Sequence, residues 1–152
     1  MKSLLFKFTT LFFISTFFLI SCSDDDTPTN DDTQSQVEVN VKKDTWKITK
    51  YIDSGDDELN NYSGYNFTFG INNVLTASNG INTYTGTWSI GDRNSSDDSS
   101  DDLDFNLFFA SPPNFEELSD DWHFISQTAT KIELIDVSGG NGGTDYLTFE
   151  KN

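Results

Sequence analysis

Across residues 37–152 apolar side chains return at every second position, in run after run, and no stretch repeats them at helical spacing. A period of two puts alternate side chains on opposite faces of an extended chain, so the pattern commits this segment to strands with one buried face. In residues 45–53, Trp46, Ile48 and Ile52 share one face and Thr45, Lys47 and Thr49 the other. Tyr65, Phe67 and Phe69 alternate with Asn66 and Thr68, and residues 74–77 form a weaker candidate. The cleanest run is 83–90, where Tyr84, Gly86, Trp88 and Ile90 oppose Thr83, Thr85, Thr87 and Ser89. Leu103, Phe105, Leu107 and Phe109 alternate with Asp104 and Asn106, and shorter runs follow at 121–126, 131–137 and 145–150.

The intervening residues carry turn chemistry. Ser54-Gly55, Asn72-Asn73, Asn79-Gly80 and the glycine-rich 138–143 tolerate positive φ, which tight hairpin turns require. Pro112-Pro113 excludes a central strand, and Asn114 is placed to cap a short helical turn. Eight strands in sequence, joined mostly by short turns, predict an all-β fold: an antiparallel up-and-down barrel, with a β-sandwich as the alternative. The 116 residues of this segment suffice for one domain and one core.

Upstream of it the chain reads as an address. Lys2 and Lys7 precede an apolar core that ends at small Ser21, the layout of a signal peptide over residues 1–21. Leu19-Ile20-Ser21-Cys22 resembles the lipobox of bacterial lipoproteins, and Cys22 is the single cysteine of the chain. The resemblance implies lipidation of Cys22 after cleavage, a membrane anchor that stabilises by ~0.8 kcal/mol per buried methylene. A lone cysteine also excludes any disulfide framework. The following Ser23-Asp24-Asp25-Asp26 resembles the acidic export signal of Bacteroidetes surface lipoproteins. It implies an outer-membrane location facing the cell exterior, with the periplasmic face as the alternative. Residues 22–36 hold five Asp and no base, and are expected to be a disordered tether.

Without the signal, seven basic residues stand against 25 acidic ones, a net −18 with His123 neutral. Such a balance repels nucleic acid, which is excluded as a partner, and favours solubility at a crowded surface.

The order Thr45-Trp46-Lys47-Ile48, Tyr65-Asn66-Phe67-Thr68-Phe69, Gly86-Thr87-Trp88-Ser89-Ile90, Asp121-Trp122 and Leu147-Thr148-Phe149 resembles the lipocalin-like domains of Bacteroidetes lipoproteins. That resemblance implies an eight-stranded barrel open at one end. Two departures stand out: Asp44 occupies the place of a glycine before Thr45-Trp46, and no Arg lies near the last strand to stack on Trp46.

No catalytic constellation emerges, and the chain is read as a non-enzyme with no cofactor and no metal site. His123 is the single histidine, and alternation puts it opposite Trp122 and Phe124, toward solvent. Glu116-Glu117 and Asp120-Asp121 sit in or beside one loop that can line a barrel mouth, where a charge run is ordinarily a solvated face. The acidic stretch 92–104 has the composition of a calcium loop but fails the EF-hand spacing, with Asp97 at the sixth place and Leu103 at the twelfth.

Three Trp, five Tyr and eight Phe remain after the signal. In a small barrel they either fill the interior or line an apolar cavity. The ligand-binding expectation takes Trp46, Tyr84, Trp88 and Phe105 as the wall around a small apolar molecule, with room left at Gly86. The alternative is a filled barrel acting as an accessory partner of an outer-membrane complex.

Overall fold

The structure is a computed structural model that describes residues 30–92, 103–137 and 143–152. A helix, α1 (Asn30–Val41), precedes β1 (Thr45–Asp53), the two-residue β2 (Asp56–Asp57), β3 (Asn66–Phe69), β4 (Val74–Ser78) and β5 (Thr83–Asp92). Then come β6 (Leu103–Phe108), the short α2 (Pro113–Glu116), β7 (Asp120–Gln127), β8 (Lys131–Val137) and β9 (Thr144–Lys151). Strands β3 to β9 pair in chain order, and β1 joins β3 on one side and β9 on the other. All pairings are antiparallel, so eight strands close into an up-and-down barrel, with β2 a short rung on the end of β1. The barrel, and not the sandwich, is the fold.

The turns form as their residues require. Ser54 and Gly55 turn β1 into β2 with φ of 49° and 99°. Between β4 and β5 the Asn79 carboxamide accepts the N–H groups of Ile81 and Asn82 at 3.0 and 2.8 Å.

Two faces depart from simple alternation. A bulge between Ile48 and Lys50 shifts β1 against β9, so Tyr51 points into the core and Ile52, expected there, does not. A second irregularity follows Phe124 in β7.

The tether expectation is corrected from Asn30 onward, where the chain is helical through Val41. Asn, Asp, Thr, Ser and Val are weak helix formers, so propensity gives no warning of it. Tertiary contacts supply the reason. Val37 and Val41, one turn apart, are buried, and the Trp46 indole N–H donates to the Val41 carbonyl at 2.9 Å. Gln34 Nε2 donates to the Ile90 carbonyl at 2.8 Å. Helix α1 thus closes the end of the barrel where β1 begins; residues 22–29 lie outside the described part.

Loops close the other end, against the expectation of an open mouth. Tyr62, Phe115 and Leu118 are fully buried there. The Tyr62 hydroxyl donates to the Asn114 carbonyl, Tyr51 to Glu117 at 2.8 Å, and the Trp122 indole to Leu118 at 3.0 Å. The amphipathic rings of the interior thereby bind the α2 loop from beneath. Helix α2 begins after Pro112, with Pro113 in its first turn, so Asn114 lies inside the helix and does not cap it.

Candidate functional site

Of the four residues expected to line a ligand cavity, two lie together in the barrel and two lie at opposite ends. Phe105 is wholly buried, with ring centroids of Phe69, Phe124, Trp88 and Phe149 at 5.1, 5.7, 6.1 and 6.5 Å. Those spacings are direct aromatic contact. Trp88 joins this cluster and turns its indole N–H to the Gly70 carbonyl at 3.1 Å. Trp46 sits at the α1 end, bonded to Val41 as described. Tyr84 sits at the opposite end, half-buried, stacked on Tyr65 at 5.8 Å and against Phe115 at 4.7 Å. The sequence therefore brings Trp88 and Phe105 together and places Trp46 and Tyr84 at separate ends.

Gly86 does not leave a void. A methyl group on it would stand 2.1 Å from the Phe108 carbonyl oxygen and 2.9 Å from the Phe109 ring. The glycine is there because a neighbouring strand occupies the space.

A cation does lie over Trp46, although no Arg lies near the last strand to supply it. The Lys151 ammonium stands 5.3 Å from the ring centroid and pairs with the Asp44 carboxylate at 2.9 Å. Asp44, unexpected before Thr45-Trp46, thus fixes the lysine that covers the tryptophan.

Acidic residues collect at the loop end. The carboxylates of Asp120, Asp121 and Asp136 lie within 4.8 Å of one another. Burial pushes the Asp120 carboxyl above the ordinary carboxylate range, opposed by the Asp121 N–H at 2.8 Å and reinforced by the charges of Asp136 and Asp121. Asp136 was legible as an oddity in the sequence: Ile132, Leu134 and Asp136 share the inward face of β8. Tyr51 and Tyr62 hold their protons far above the usual phenol range, first through burial and then through the charges of Asp53, Glu58 and Glu117.

His123 faces outward as expected and meets Asp104 of β6 at 2.6 Å, on the outer wall rather than in a cleft. The segment 93–102 of the acidic stretch lies outside the described residues, as do Cys22 and the lipobox.

A further opening lies in the wall itself. Between β1 and the start of β3 a slot of about 460 Å³ is bordered by Lys47, Ile48, Asn60, Ser63, Asn66 and Asn152, among others. Its volume falls within the range of small-ligand sites, roughly 300–1,000 Å³. No alternation pattern foretells it, because it arises from the short length of β3.

With this geometry in place, comparison with solved structures finds a DUF4847 family protein from Bacteroides vulgatus ATCC 8482, determined at 1.00 Å. The two share 20% identity over 76% of this chain and 97% of that one, with a TM-score of 0.50. The likeness is one of fold. No family model and no curated relative matches the chain.

Proposed function

We propose that this chain is a lipid-anchored, non-enzymatic interaction module whose barrel is a filled scaffold rather than a container. The observation that carries the reading is the occupied interior. Phe67, Phe69, Phe105, Phe115 and Phe149 are all buried to 1% exposure or less and touch one another in series. Both ends are plugged, by α1 and by the α2 loop. Eight strands enclose a space that large side chains alone can fill.

The anchor rests on the Leu19-Ile20-Ser21-Cys22 signature, and the outward-facing placement at the outer membrane rests on Ser23-Asp24-Asp25-Asp26. No nucleic acid enters the reading, since the charge opposes it.

Titration of the purified domain with an environment-sensitive naphthalene dye tests the interior. The expected result is no saturable fluorescence gain in the wild type. Saturable binding by the wild type, competed by a fatty acid, would overturn the filled barrel and restore the apolar-ligand reading. Mass spectrometry of the membrane-purified protein tests the anchor: an unprocessed Met1 or an unacylated Cys22 refutes it.

A further inference from the structure

Along one side of β1 the strand ladder is interrupted. There β1 pairs with β3 at Thr45 and Trp46, and with β2 at Ile52 and Asp53. Between them, residues 47–51 run for about 17 Å without a strand on that side, at a rise of ~3.4 Å per residue.

The hydrogen-bonding phase shows which groups face the gap. Lys151 N–H turns away from β1 to donate to the Thr130 carbonyl at 3.0 Å, while Asn152 N–H donates to the Thr45 carbonyl at 3.2 Å. Lys47 and Glu150 are therefore the pair that exchanges bonds across β1 and β9, and Ile48 directs its N–H and C=O the other way, into the slot. Continuing the register from Trp46 opposite Phe67 would set Tyr65 opposite Ile48. That rung does not form: Tyr65 N–H donates instead to the Tyr62 carbonyl at 3.1 Å, turning the chain away. The next main-chain bond on this side is from Glu58 N–H to the Tyr51 carbonyl at 3.1 Å.

A strand edge left open in a barrel wall is a template for an added strand. The border suits a peptide backbone. Asn60, Asn66 and Asn152 offer carboxamides, and Asn66 and Asn152 already bond to each other across the lower end. Lys47 is the single charged side chain on the border, in a chain with 25 acidic residues.

The geometry points to this slot as a docking site for a short extended segment of a protein partner, which pairs its backbone with Ile48 and sets an acidic side chain against Lys47. The inference deepens the interaction-module reading and rests on it. The two are separable, since the stability loss of Phe105→Ala reports on the interior and not on the wall.

The test follows the Ile48 amide by NMR, in the purified domain, during titration with N-acetylated, C-amidated pentapeptides. The set consists of alternating threonine and valine with one aspartate placed at each position in turn. Fast solvent exchange of the Ile48 amide is expected in the free domain. A saturable shift and slowed exchange are expected with at least one peptide, lost when that peptide is N-methylated at its central amide. Lys47→Ala should weaken binding roughly two- to five-fold, the weight of an exposed ion pair. An Ile48 amide already protected in the free domain overturns the proposal, and so does the absence of a response up to millimolar peptide. Equal binding of the N-methylated peptide also overturns it.

Discussion

Replacing Phe105 by Ala separates a packed interior from a lined cavity more sharply than any other single change. The ring is wholly buried at the centre of the barrel and stacks on Phe124 at 7° and 5.7 Å, with Phe69, Trp88 and Phe149 around it. Its partners come from β3, β5, β7 and β9, strands whose backbones are fixed by the closed ladder, so the site cannot collapse onto the void. The loss then combines the transfer term of the side chain with a cavity term, about 3–5 kcal/mol in all. For a domain of this size that corresponds to roughly 12–20 °C in melting temperature, at ~4 °C per kcal/mol. Urea unfolding of wild type and F105A, followed by tryptophan fluorescence, measures it, with an unchanged m-value as the control for two-state behaviour. A residue that already bordered an empty pocket would forfeit only part of its burial. A measured loss below about 1.5 kcal/mol therefore refutes the packed-core argument.

Gly86→Ala is expected to cost about 1–3 kcal/mol, because the added methyl meets the Phe108 backbone, and a neutral result in the same assay would mean the strands can separate there. Lys151→Met should cost about 1–2 kcal/mol, since it removes the cation over Trp46 and the Asp44 pair, while K151R should retain most of it; equal losses in the two variants refute the cation's role. Val41→Asp is expected to undock α1, read as loss of hydrogen-exchange protection confined to residues 37–42, and unchanged protection there would show that the helix stands without the core. The pH dependence has two opposed parts. Asp120 has a raised carboxyl pKa in the fold, so its ionised form opposes folding at neutral pH, and that opposition is relieved as pH falls through the folded value. Glu133 is held below its ordinary range, first by the Lys131 ammonium and then by the Ser126 hydroxyl, so its contribution is present above that range and lost as pH falls through the folded value. Asp120→Asn should raise the urea midpoint at pH 7 and remove the acid-side gain, whereas Glu133→Gln should lower it at pH 7; like signs in the two variants contradict these assignments.

The outward position of His123, the inward position of Trp88 and Phe105, and the glycine-bearing turns followed from alternation and turn chemistry, which are local properties of the chain. So did the all-β class, because eight amphipathic strands joined by short turns have few ways to bury one face each. The places where that reading fell short share a cause. Ile52 was expected inside and Tyr51 took its place, since a bulge inserts one residue without changing the pattern on either side of it. Helix α1 has no amphipathic stripe beyond Val37 and Val41, and its stability comes from the barrel end it covers. The room inferred at Gly86 was filled from a strand more than twenty residues away.

The sequence by itself determined the strands, their order and the aromatic supply of the core, because a period of two is written residue by residue. Whether those rings line a cavity or fill it depended on how the two ends close, on which strand β1 meets along each edge, and on where Lys151 and Asp136 arrive. These are relations between segments distant in the chain, set by register and packing, and the tertiary structure alone decided them.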